Sequence, residues 1–302
     1  MTQYDVIIVG GGAAGFFAAI NIAEQNPDLK IAILERGKEG LQKVKISGGG
    51  RCNVTHAEFI PIELVQNYPR GEKELLGPFH QFCCGDTMAW FQERGVELKI
   101  EDDGRIFPVS DSSQTIIDCF LREAKKYQVD FRKNHAVKNI SKANEVWSVE
   151  TSQGTLKAKK IVLATGSNPK IWKLLETLEH TIVPAVPSLF TFNIKDYRIK
   201  DLMGLATEAS VKVLDTNNLE ASGPLLITHW GMSGPAVLVL SAICAKQLGE
   251  MDYHFDYSVD WLPAYSREEL VLSGSQKQIQ NHKPDAIPQR LWLYLLDAAG
   301  VE

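Results

Sequence analysis

The chain has 302 residues, 44% of them hydrophobic and 23% charged, with a formal net charge of −5. That is enough apolar mass for two packed domains, and it argues against a disordered chain. The acidic balance offers no basic stripe for nucleic acid, and five cysteines without ligand spacing argue against a disulfide scaffold or a metal site. No apolar run reaches the ~20 residues of a membrane helix, so a cytoplasmic protein with no membrane or nucleic-acid partner is expected.

The first elements carry the clearest pattern. Tyr4 to Val9 is an apolar, β-branched run, and Gly10-Gly11-Gly12-Ala13-Ala14-Gly15 breaks it. Phe16 to Ala23 reads as helix, and Lys30 to Leu34 as a second strand ending at Glu35. Strand, glycine turn, helix, strand and acid in this order form a dinucleotide-binding βαβ unit. Gly10 permits the tight turn, Gly12 lets a pyrophosphate approach the backbone, and Gly15 lets the helix pack close. The free N–H groups at Ala13 and Ala14 open the helix toward the phosphates. Glu35 falls about 20 residues on, where an acid meets ribose hydroxyls and disfavours a 2′-phosphate. FAD or NAD is therefore expected over NADP.

Arg36-Gly37-Lys38-Glu39-Gly40 is a turn, and Leu41 to Ile46 leads into Ser47-Gly48-Gly49-Gly50-Arg51-Cys52-Asn53. This is either a flexible linker or a backbone-lined loop passing close to a flat or anionic ligand. Lys45 and Arg51 either compensate ligand charge or are solvated surface cations.

Taken together, Val9 to Gly15 and Lys45 to Asn53 resemble the YhiN/BaiN-type family of NAD(P)/FAD-dependent oxidoreductases, flavoproteins of the two-dinucleotide fold. The resemblance implies an α/β architecture: a Rossmann-like FAD-binding domain, an inserted β-rich second domain and a small helical part. It implies that Lys45, Ser47, Gly48, Gly49, Gly50, Arg51, Cys52 and Asn53 lie against FAD, with Arg36 also on the cofactor.

Residues 57–95 read as mainly helical, with breaks at Pro61, Pro69-Arg70-Gly71 and Gly77-Pro78. Val96 to Ile100 alternates as a strand, Asp102 to Arg105 is a turn, and Ile106 to Asp111 resembles a segment of the same family. Ser110 or Asp111 is the expected cap of a helix from Ser113 to Tyr127. Val129 to Arg132 and Ala136 to Ile140 read as strands. Val146 to Thr151 and Thr155 to Ala158 form a hairpin around Gln153-Gly154. By resemblance Val137 meets the adenine through its backbone; otherwise it is core packing. Lys160 to Leu163 ends in Ala164-Thr165-Gly166, similar to the second flavin-contact strand of such proteins, and Asn168-Pro169 starts a helix.

Pro184 to Leu189 is a stiff crossover, so domains of 1–187 and 188–302 are expected. Leu189 to Ile194 and Ala209 to Leu214 read as strands, with a turn at Asp215 to Asn218. Gly223 to Pro235 resembles a second hallmark of the family and opens a helix, Ala236 to Leu248, with Ser233 as its cap. His229, on a glycine-bounded loop, is the one histidine considered for proton transfer, against a purely structural role. Tyr253 to Val259 reads as a strand, Arg267 to Asn281 as a polar helix, and Pro288 to Gly300 as an amphipathic helix. The resemblance also implies a C-terminal return segment over the flavin that does not follow Glu302, so a truncated form with weakened FAD affinity is expected.

These elements point to a FAD-dependent oxidoreductase with NAD(P)H as reductant and an unspecified small organic substrate. The alternatives are flavin-dependent RNA modification, against which the acidic charge counts, and a non-catalytic flavin-binding protein.

Overall fold

The computed structural model describes residues 3–196, 199–214, 219–266 and 283–301. The chain divides into two compact units, Met1–Val183 and Pro184–Glu302.

In the first unit the order is β1 (Gln3–Val9), α1 (Ala13–Gln25), β2 (Ile31–Leu34), α2 (Gln42–Ile46), β3 (Thr55–His56), α3 (Pro61–Val65), α4 (Glu72–Gln81) and α5 (Cys84–Gln92). Then come β4 (Leu98–Ile100), β5 (Arg105–Pro108), α6 (Ser113–Lys126), β6 (Asp130–Arg132), β7 (Val137–Ala143), β8 (Val146–Thr151), β9 (Gly154–Leu163) and α7 (Pro169–Glu176). The main sheet runs β6-β2-β1-β9-β8-β7. β6, β2, β1 and β9 are mutually parallel, and β9, β8 and β7 continue as an antiparallel meander. β3, β5 and β4 make a small separate sheet.

β1 and β2 are almost continuously apolar because both sheet faces are covered. Val6 and Ile8 pack with Phe16, Ala19, Ile20 and Ala23, the inward stripe of α1, and with Phe120 of α6. Ile7 and Val9 turn to the opposite face, against Ile140, Val149, Leu156 and Leu174. The parallel half with its glycine turn is thus a Rossmann-like sheet.

Three local features differ from the expected pattern. α4 runs through Gly77-Pro78 instead of breaking there. Ser112 caps α6, its hydroxyl accepting from the Gln114 N–H. Neither Ser110 nor Asp111 does so, because Ser110 bonds the Thr115 hydroxyl and Asp111 faces Arg51 and Lys99. The segments 155–158 and 160–163 are one ten-residue strand, β9. Lys159 does not interrupt it, because its ammonium turns outward to Asp5 at 2.8 Å.

The second unit contains β10 (Phe192–Asn193), β11 (Ala206–Val213), β12 (Glu220–Ile227), β13 (Gly231–Ser233), α8 (Pro235–Ile243), α9 (Ala245–Glu250), β14 (Tyr257–Asp260) and a helix, Gln289–Ala298. Its antiparallel sheet runs β10-β13-β12-β11-β14. Val211, Val213, Leu225 and Ile227 face Ala236, Val237 and Leu240 of α8. The expected strands are shorter: 189–194 keeps only β10, and 253–259 begins at Tyr257 because Asp252 and Tyr253 turn with φ of +50° and +58°. Gly234, with φ +97°, caps α8 in place of Ser233, and the expected helix 236–248 splits at Cys244. The expected turn 215–218 and helix 267–281 lie outside the described residues. Among the described residues, no helix is long and apolar enough to cross a membrane.

Candidate dinucleotide site

The site begins where β1 stops. Gly10 has φ +117°, and a Cβ there would lie 2.3 Å from the Ala164 carbonyl oxygen. A Cβ on Gly15 would lie 1.9 Å from the Gly10 carbonyl oxygen. β9 and α1 pack so closely on the turn that neither position accepts a side chain. Gly12 differs, because nothing lies within 4 Å of its Cβ position. Its backbone is open to a ligand. Gly12 caps α1 without a side-chain bond, and the first helical bond runs from the Phe16 N–H to the Gly12 carbonyl. The N–H groups of Ala13, Ala14 and Gly15 lack helical acceptors, so with the helix dipole they favour an anion.

Glu35 sits beside this turn. Its Oε2 accepts from the Gly11 N–H at 3.0 Å and its Oε1 from the Gly37 N–H at 2.7 Å. Two backbone donors fix the carboxylate, and each oxygen retains a lone pair for a ribose hydroxyl. A cavity of about 170 Å³ adjoins it, lined by Val9, Gly10, Leu34, Glu35, Arg36, His135, Ala136, Val137, Thr165, Asn168, Lys170 and Ile171. Gly10, Glu35, Arg36, Val137 and Thr165, read separately from the sequence, therefore meet around one space. The sequence pattern does not single out His135, Asn168 or Lys170, which line the same space. A signal for the last two was present in Asn168-Pro169, the helix start that carries Lys170 to the rim.

The Ser47–Gly50 turn follows α2. Gly48 and Gly49 are left-handed, with φ of +55° and +68°, and Gly50 has φ +89°. Gly48 is constrained by the protein: a Cβ would meet the Asn53 nitrogen at 2.8 Å and the Phe107 ring at 2.9 Å. Gly49 and Gly50 have nothing within 4 Å and present bare backbone. The loop is held from below. Ser47 donates to the Val44 carbonyl at 2.8 Å, and the Cys52 N–H to the Ser47 carbonyl at 3.0 Å. The Asn53 amide lies within hydrogen-bond reach of the Ile106 and Thr55 backbone.

Arg51 lies 3.9 Å over the Phe107 ring and pairs with Glu101 at 2.5 Å and Asp111 at 3.3 Å. Its charge is largely neutralised within the protein, and it braces the loop on the small sheet. The clue was the Ile106 to Asp111 segment, which supplies Phe107 and Asp111. Cys52 is buried, with φ +63°. Burial pushes its thiol pKa above the ordinary value, so it stays protonated at neutral pH.

Lys45 lines a second cavity of about 250 Å³ with Leu41, Gln114, Phe131 and Lys133. Ala164 touches Gly10, and Gly166 turns with φ +59°. Lys43, which the sequence pattern does not single out, ends 3.8 Å from the point a Gly166 Cβ would occupy. His229 belongs to the second unit, where it is exposed and stacks edge-on 4.1 Å from Trp230. Among the described residues no acceptor or donor orients its ring.

A bare-backbone helix terminus, an anchored acid and an open glycine loop fit a flavin dinucleotide. Residues 4–281 match the HI0933-like protein Rossmann domain. The chain belongs to this family. It is 29% identical to the ribosomal RNA dihydrouridine synthase of Escherichia coli (strain K12), over 80% of this chain and 61% of that protein. It is 27% identical to the 3-dehydro-bile acid delta(4,6)-reductase of Clostridium scindens, over 91% of this chain and 67% of that protein. A ribosomal RNA dihydrouridine synthase of Haemophilus influenzae is also 27% identical, over 91% and 69%. The match to the Escherichia coli relative thus spans about six-tenths of that protein's length.

Proposed function

We propose that the chain binds FAD and serves a flavin-dependent oxidoreductase that takes reducing equivalents from NAD(P)H and reduces a small organic substrate. The observation that carries this reading is Gly12. It is free of any protein contact at the Cβ position, at the N-terminus of α1, while Glu35 stands fixed beside it. When bound, FAD supplies the redox chemistry, accepting a hydride and passing it on. The chain's own residues bind and orient. The α1 N-terminus receives the pyrophosphate, Glu35 takes the ribose hydroxyls, and the cavity at Val137 and Thr165 takes the adenine. The bare backbone of Gly49 and Gly50 takes the flavin end. Arg51 acts through the loop it braces, and neither Cys52 nor any other thiol is required.

The names of the relatives favour a carbon–carbon double bond as the substrate group, since both a delta(4,6)-reductase and a dihydrouridine synthase carry out reductions of that type. They also favour a second reading, in which the substrate is a base in RNA. The net charge of −5 weighs against that, because RNA-binding faces are basic. We therefore prefer a free small molecule.

The test is an absorption spectrum of the purified chain after FAD is added and the excess removed, followed by NAD(P)H oxidation. Retained flavin absorbance with NAD(P)H consumption supports the reading. FAD retained without any NAD(P)H consumption leaves a flavin-binding protein and sinks the catalytic part. A salt-sensitive shift with ribosomal RNA would move the preference to the second reading.

A further inference from the structure

Three cations flank the glycine loop in sequence: Lys43, Lys45 and Arg51. The structure separates them. Arg51 is spent on Glu101 and Asp111. Lys45 lines the cavity with Gln114 and Lys133, on the side of α2 that faces α6. Lys43 remains, and among the described residues no carboxylate pairs with it.

Its position is set by α2, which is tied down at both ends. The Leu41 N–H donates to the Gly11 carbonyl at 2.7 Å, which fixes the start of the helix to the glycine turn. The Ser113 hydroxyl donates to the Lys45 carbonyl at 2.8 Å, and Val44 is buried between them. Residues two apart on a helix point in roughly opposite directions, about 200° around the axis. Once Lys45 turns toward α6, Lys43 must turn the other way. It reaches the end of β9, 3.8 Å from the Cβ position of Gly166. Gly166 follows Ala164 and Thr165, which border Gly10. The ammonium therefore stands at the strand ends, beside the path a dinucleotide takes over the bare Gly12 backbone.

We propose that Lys43 supplies the side-chain positive charge for the pyrophosphate of the bound dinucleotide, complementing the neutral N–H donors of α1. This rests on the dinucleotide reading above. The α1 terminus carries only partial charge, and Ala13 to Phe16 bring no basic side chain, so a full cation nearby would add to the attraction for a dianionic pyrophosphate. Lys43 supplies it on a flexible stem, and it leaves the space over Gly12 open.

The test is calorimetric titration of the whole chain with FAD, ADP and adenosine at low salt. The unaltered protein is compared with Lys43→Gln, Lys43→Arg and Lys45→Gln. Loss of one charged contact predicts that Lys43→Gln weakens FAD and ADP by about tenfold or more. Adenosine, which has no phosphate, should bind as before and report an intact cavity. Lys43→Arg should restore most of the affinity, and Lys45→Gln should change nothing. Salt should narrow the gap between the unaltered protein and Lys43→Gln.

Equal losses in Lys43→Gln and Lys45→Gln would overturn the proposal, because the effect would then be general charge. So would unchanged ADP affinity in Lys43→Gln, or a parallel loss of adenosine binding. If the unaltered protein binds neither FAD nor ADP, the dinucleotide reading itself fails and takes this one with it.

Discussion

Two glycine-rich stretches frame the candidate site, and they are glycine-rich for different reasons. In the Gly10–Gly15 turn the protein itself excludes side chains at Gly10 and Gly15, where a Cβ would collide with the Ala164 and Gly10 carbonyls, and leaves only Gly12 open. In the Ser47–Gly50 turn only Gly48 is hemmed in, while Gly49 and Gly50 face empty space in a left-handed backbone. The first stretch is glycine at Gly10 and Gly15 because strand and helix must touch there. The second is glycine in part because something outside the chain must come close. A glycine pattern in sequence does not tell these cases apart; the Cβ surroundings do.

The comparison breaks most sharply at Gly15. Gly15→Ala places a methyl group 1.9 Å from a backbone oxygen and should destabilise the fold by about 3 kcal/mol or more, as overpacking does. Urea unfolding checks this, and a midpoint near the parent's would mean α1 can shift away freely. Glu35→Ala comes next. It strips the acceptor from two backbone N–H groups and should cost FAD binding about 1.5–3 kcal/mol. Unchanged affinity would place the ribose elsewhere. Gly49→Ala should cost stability only about 1 kcal/mol, the strain of a left-handed alanine, and yet weaken FAD disproportionately. A titration showing no loss of FAD would return that glycine to the purely conformational class.

The smallest expected effect concerns the brace beneath the loop. Hydrogen bonding to Lys99, and then to Arg51, holds the Asp111 carboxyl below its ordinary value of 3.8. A depressed carboxyl pKa adds stability that is complete above the unfolded value and lost as pH falls through the folded one. The contribution should therefore be present above about pH 4 and fade in stronger acid. Asp111 is exposed, so the effect should be slight. Melting temperatures of the parent and Asp111→Asn should differ at neutral pH and converge toward pH 3. Parallel curves would remove Asp111 from the brace.

Much of the site was legible because it is local. Strand, glycines, helix and acid follow one another within 35 residues, and each responds to backbone sterics that a sequence displays directly. Ser47 to Asn53 was legible as a unit but not in its internal roles. Arg51 looked like a ligand cation because Glu101 and Asp111, which neutralise it, are brought in by a sheet that forms far along the chain. Lys43 and Lys45 are not distinguishable in the sequence, because a five-residue helix is too short to show its facing in the pattern alone. The caps at Ser112 and Gly234 shifted by one residue or so, as caps do when several small polar residues compete.

The place of β1 in the sheet also bears on how the chain is made. One edge of β1 is satisfied by β2, only a helix away in sequence, but the other waits for β9. Roughly 150 residues separate the two, which at 5–20 residues per second is about 10–30 s of synthesis. During that interval Ile7 and Val9, buried in the finished sheet, lie on an open strand edge in the nascent protein. The glycine turn can form early, but its wall at Ala164 arrives late. A newborn chain should therefore complete this turn's wall only once β9 has cleared the ribosome.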